Sequence, residues 1–123
     1  MHHDEAHLIT QAVSGDAVAV QLLLVHHHSA LVADLARRMP ASLARVVSAE
    51  DLCQETYVAA VRKLSQFQPA GEGSFYGWLR TIAERKLADA VRAAGAAKRG
   101  HGKRVVEPVG GEATSMVALL DLL

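Results

Sequence analysis

The chain has 123 residues, half of them hydrophobic, with 13 Lys/Arg balanced by 13 Asp/Glu for a formal net charge of zero. That length supports one small domain with a single apolar core plus a tail, and it excludes two separately cored domains. A lone cysteine, Cys53, excludes an internal disulfide framework or a Cys-based zinc site and fits a reducing cytoplasm. With no signal-peptide layout at the N-terminus and no apolar run read as reaching about 18 residues, a cytoplasmic protein without a membrane partner is expected.

Strand-like alternation is absent, and Ala, Leu, Val and Arg recur at helical spacing, which predicts an all-α fold of four helices. The first is expected over about residues 4–13, with Leu8, Ile9, Ala12 and Val13 inward and Ser14-Gly15 ending it. The second starts near Asp16, a good N-cap, and runs to about Arg38, because Pro40 forbids continuation; Val20, Leu24, Leu31 and Leu35 form its core stripe. A third begins at Ser48, with Asp51 at the reciprocal capping position, and buries Leu52, Thr56, Ala60, Leu64 and Phe67 before "QPAGEG" closes it. Cys53 and Tyr57 belong to the core or its edge.

A fourth helix is expected from Ser74 to about Ala94 or a little beyond, with Phe75, Leu79, Ile82, Ala83, Leu87 and Ala90 on one face. At about 100° per residue, Trp78, Thr81, Arg85 and Arg92 fall on another side, predicted to face solvent. Beyond it, "GAAKRGHGKRVVEPVGGEATS" has the Gly, Pro and basic composition of a flexible linker, and "MVALLDLL" reads as the opening turns of a further element. The expected division is residues 1–97 as the folded domain and 98–123 as linker.

Charge is sorted along this scheme. Residues 1–73 carry five Lys/Arg against eight Asp/Glu, whereas residues 74–104 carry eight Lys/Arg against Glu84 and Asp89. Such sorting suggests one surface for a polyanion and another for a basic or polar partner. The acids at Asp51 and Glu55 stand four apart, where like charges on a helix repel. The helix dipole favours acids in the first turn and so explains Glu50 and Asp51 well, but Glu55 less so.

Catalysis finds little support. There is no Ser-His-Asp spacing, phosphate loop or HExxH, so no enzyme, cofactor or metal site is expected. The "HHH" at 26–28 points its three rings about 100° apart, which prevents them from chelating one ion together. An indole and arginines on one water-facing strip are, by contrast, what single-stranded nucleic acid needs: cations for phosphates and a π-face for unstacked bases. The plainer alternative is an indole folded onto a neighbouring helix beside solvated arginines.

Two stretches resemble one known family. "SFYGWLRTIAERKLADAVRAAGAAKR" is similar to the promoter-melting, −10-recognition helix of bacterial RNA polymerase sigma factors, with Phe75, Trp78, Leu79-Arg80 and Ala88-Asp89 at the pattern positions. "AEDLCQETYVAAVRKLSQF" resembles the helix preceding it, whose "DLxQE" core is matched by Asp51, Leu52, Gln54 and Glu55. The likeness spans roughly residues 5–100, sigma region 2, and the short intervening loop resembles the extracytoplasmic-function (ECF) subfamily.

The resemblance implies that Asp51, Gln54 and Glu55 dock, from an exposed face, on the β′ coiled coil of core RNA polymerase. It also implies that Trp78, Arg80, Arg85, Lys86 and Arg92 bind the non-template strand of the −10 promoter element, with Lys98, Arg99, Lys103 and Arg104 adding phosphate contacts. An anti-sigma factor is a further implied partner. Two departures stand out: Gly77 occupies the first position of the family's paired tryptophans, and the loop "QFQPAGEGS" has no cation. The family's second domain, a helix-turn-helix that reads the −35 element, is not found in these 123 residues, so region 2 alone is expected. The competing expectation is a helical interaction module that keeps the fold without DNA binding.

Overall fold

A tight turn around Gly15 joins the first two helices. α1 spans Asp4–Val13 and α2 spans Ala17–Arg38. Gly15 takes φ +104°, and the amides of Gly15 and Asp16 donate to the carbonyls of Ala12 and Gln11, each at 3.0 Å. That left-handed residue closes α1 in a Schellman-type cap, a conformation cheap only for glycine. Asp16 then caps α2, its carboxylate accepting from the amides of Val18 and Ala19 at 3.0 and 3.2 Å. The computed structural model describes residues 4–71 and 73–99, with side chains described for 5–71 and 73–96.

α2 stops where Pro40 removes the next donor. A single short turn, α3 (Ala41–Ala44), follows and was not expected from the sequence; it buries Leu43 beneath the connection. α4 spans Ala49–Lys63 and opens with the predicted capping box: the Asp51 amide donates to Ser48 Oγ at 2.9 Å, and the Ser48 amide donates to the Asp51 carboxylate at 3.1 Å. A 3₁₀ turn, Leu64–Gln66, tightens its end and delivers Phe67 to the core. α5 spans Ser74–Arg99, longer than the sequence boundary by about a turn.

The fold is all-α, with no strand among the described residues. α2 is the central helix: α1 lies along it on one side, and α4 and α5 pack on it and on each other. The core is continuous and includes Leu24, Leu31, Leu35, Leu52, Tyr57 and Leu79, all at most 2% exposed. Every expected inward residue of α2 and α4 is buried, and α2 adds Ala19 and Leu23. Thr56 is fully buried, its hydroxyl donating to the Leu52 carbonyl at 2.7 Å, so this polar side chain enters the core without an unmet hydrogen bond.

One expectation changes here. By length and composition α2 is apolar enough to cross a membrane, although no such run was read in the sequence. Leu23, Leu24, Leu31 and Leu35 are spent on the core, while Val18, Leu22 and Val25 remain exposed. Of the linker and opening turns expected over residues 98–123, residues 98 and 99 continue α5, and residues 100–123 lie outside the described residues.

Candidate nucleic-acid and polymerase interface

Trp78 sits in the second turn of α5 and is only partly exposed. Its ring packs against Phe67 and Phe75, with centroids 5.0 and 5.7 Å away, and borders an apolar hollow shared with Val20, Leu24, Val61 and Leu64. The expectation of an indole turned well away from the core is therefore corrected. At about 100° per residue Trp78 lies close to 180° from Leu87 if followed around the helix, yet only about 60° from Phe75 and about 40° from Ile82. A side chain that large reaches across this margin to the aromatic ring that the 3₁₀ turn supplies.

Arg85 and Arg92 share the Trp78 side of α5 and are exposed. Arg85 pairs with no acid among the described residues, whereas Arg92 is held by Asp89 one turn back. Arg80 and Lys86 are not brought onto this strip. Arg80 lies around the helix toward the end of α2, where its Nε is 3.7 Å from Glu84, itself bound by Arg38 at 3.1 Å. Its guanidinium also sits over the Tyr76 ring at 6.0 Å. Lys86 is half-buried and turned toward α4. α5 reaches Lys98 and Arg99, whose side chains, with Lys103 and Arg104, lie outside those described.

The acidic set on α4 is likewise less open than expected. Asp51, Gln54 and Glu55 are all half-buried, and Lys86 and Asp89 of α5 lie near Glu55. Asp51 spends its carboxylate on the helix cap. Gln54 Oε1 is buried with no hydrogen-bond partner among the described residues, an unfavourable state for an amide oxygen. Burial pushes the Glu55 carboxyl above its ordinary value; Lys86 opposes that shift, and Asp89 and Asp51 reinforce it. The freely exposed acid of this turn is Glu50, 4.0 Å from His28 Nε2.

Sequence reading missed the clasp between α2 and α5. The Tyr76 hydroxyl donates to Asp34, which also pairs with Arg37. These bonds hold the Asp34 carboxyl below its ordinary value, Tyr76 being the largest cause. No local signal marks Asp34 and Tyr76 as partners, since they stand 42 residues apart. Cys53 is fully buried, and burial raises its thiol to about 12, so thiolate chemistry near neutral pH is excluded.

The described residues form a small helical bundle in which α5 carries an aromatic-arginine edge beside the acid-bearing α4. Residues 24–97, more than half of the chain, match the Sigma-70 region 2 family model, and the chain belongs to that family. The family is a non-enzymatic part of transcription initiation that binds core RNA polymerase and recognises −10 promoter DNA. No curated protein and no solved structure gave a significant match.

Proposed function

We infer that this chain acts in the cytoplasm as the region 2 module of an ECF-type sigma factor. It tethers to the β′ coiled coil through the α4 face bearing Asp51, Gln54 and Glu55, and holds the non-template −10 strand along the Trp78–Arg85–Arg92 edge of α5. Arg80, Lys86, Lys98 and Arg99 contribute phosphate attraction from around the same helix. The observation that carries the reading is the position of Arg85, an exposed cation without an acidic partner among the described residues, on the same side as a partly exposed indole. A base unstacked from the duplex gains about 1–3 kcal/mol by stacking on an aromatic ring, enough to offset most of the cost of flipping it.

The raised proton affinity of Glu55 supports the α4 assignment. A carboxylate kept at an electrostatic cost in the free module gains most from a cationic partner. The cation-free loop and the internal pairing of Arg80 and Arg92 favour a second reading, a polymerase or anti-sigma binding module without DNA work.

Fluorescence anisotropy with labelled single-stranded DNA separates the two. Arg85→Ala removes one cation from an exposed site, so affinity falls several-fold and the slope of log K against log salt flattens by about 0.7. Trp78→Phe, which keeps an aromatic in the hollow, weakens binding while the melting temperature stays close to wild type. DNA affinity that is negligible at low salt, or that neither substitution changes, overturns the promoter-binding reading in favour of the second.

A further inference from the structure

Three potential metal ligands meet where α1 packs on α2, a region the functional reading above does not use. Glu5 comes from the first turn of α1, and His26 and His27 from the middle of α2; their donor atoms all lie within 4.8 Å of one another. His27 Nε2 is 3.1 Å from Glu5 Oε2, with side chains only 13% and 30% exposed. The His27 ring is held in place by Phe75 and Tyr76, at 5.7 and 5.2 Å, and His26 meets it edge-on at 4.7 Å.

Consecutive histidines on one helix lack the geometry to close on an ion unaided, but the neighbouring helix brings a carboxylate to the same place. Metal bonds to imidazole nitrogen and carboxylate oxygen are about 2.0–2.2 Å long, so two ligands at a right angle stand about 3 Å apart. The His27–Glu5 separation already has that value. The remaining gap closes by rotation of His26, the exposed member of the set. Two imidazoles and one carboxylate, with the other positions left to water, suit a borderline first-row ion such as Zn²⁺ or Ni²⁺ better than Ca²⁺ or Mg²⁺, which prefer oxygen.

We propose that Glu5, His26 and His27 form a binding site for a divalent transition-metal ion that pins α1 onto α2. α1 precedes the family match at residues 24–97, so the ion fastens an element outside the matched region to the region 2 helices. Binding to the folded state alone raises stability by mass action.

Isothermal titration of the full chain with zinc chloride, after chelator treatment, tests this. One equivalent binds, and the melting temperature rises by several degrees at a hundredfold excess over Kd. His26→Asn, at an exposed position that leaves the fold intact, and Glu5→Gln each weaken binding at least tenfold and abolish the thermal shift. A triple variant with His2, His3 and His7 changed to Asn binds as wild type does, which separates the site from histidines near the terminus. No binding by wild type, equal affinity in His26→Asn, or loss of binding in the triple variant overturns the proposal.

Discussion

The Tyr76–Asp34 bond shows how one hydroxyl sets the behaviour of a charge. Asp34 is depressed below its ordinary value of 3.8, so its contribution to stability is present above that pH and is lost as the pH falls through the folded-state value. Tyr76→Phe removes the main cause. It should cost roughly 1.5–3 kcal/mol at pH 7, the range for a hydrogen bond to a charged group, and the difference from wild type should shrink as the pH falls below 3.8 and the carboxylate protonates in both proteins. Urea melts across that pH range check it. A penalty near zero, or one that stays constant at every pH, would mean that the Tyr76 hydroxyl does not act through the Asp34 charge. Neither residue was singled out by the sequence, because their contact exists only once α5 lies against the end of α2.

Element by element, helix chemistry was legible in the chain. Asp16, Ser48 with Asp51, and Pro40 each act on their own helix within a few residues, and each does in the structure what local chemistry demands. What local chemistry misses is anything decided by a neighbour, such as the one-turn α3 or the tight 3₁₀ ending of α4. Gly77 is the informative exception inside α5. Its backbone is helical, and a Cβ built there meets nothing within 4 Å, so neither strain nor crowding requires glycine. Gly77→Ala should therefore stabilise the fold by about 0.5–1 kcal/mol through helix propensity alone. Thermal denaturation reads that gain. A parallel loss of DNA affinity in the same variant would show that close approach of a ligand, rather than folding, keeps this position bare.

Across the whole molecule, the sorting of charge by segment becomes a more economical surface than the sequence suggests. Of the cations on α5 with described side chains, Arg80 and Arg92 are paired with acids of the same helix and Lys86 faces α4, which leaves Arg85 as the open one. Glu55 is the counterpart on α4. Its proton affinity is raised, so in the isolated chain it favours the folded state below its ordinary value of 4.5 and works against it as the pH rises through the folded-state value. Glu55→Gln should raise the melting temperature at pH 7, with a difference that fades below about pH 4, and should weaken capture by core polymerase. A variant that is no more stable at neutral pH would show that Lys86 compensates the buried charge fully.

The sequence by itself determined the four longer helices, the N-caps of α2 and α4, the apolar faces of those two helices and the two stretches that mark the family, because capping and amphipathic periodicity act between residues within a turn or two of each other. Tertiary packing alone decided how open each candidate side chain is. Phe67 and the apolar hollow draw Trp78 half inside, α5 brings Lys86 and Asp89 beside Glu55, and α1 carries Glu5 to His27. Exposure of a side chain depends on which neighbour arrives beside it, and that neighbour is specified by the packing of whole helices rather than by spacing along one of them.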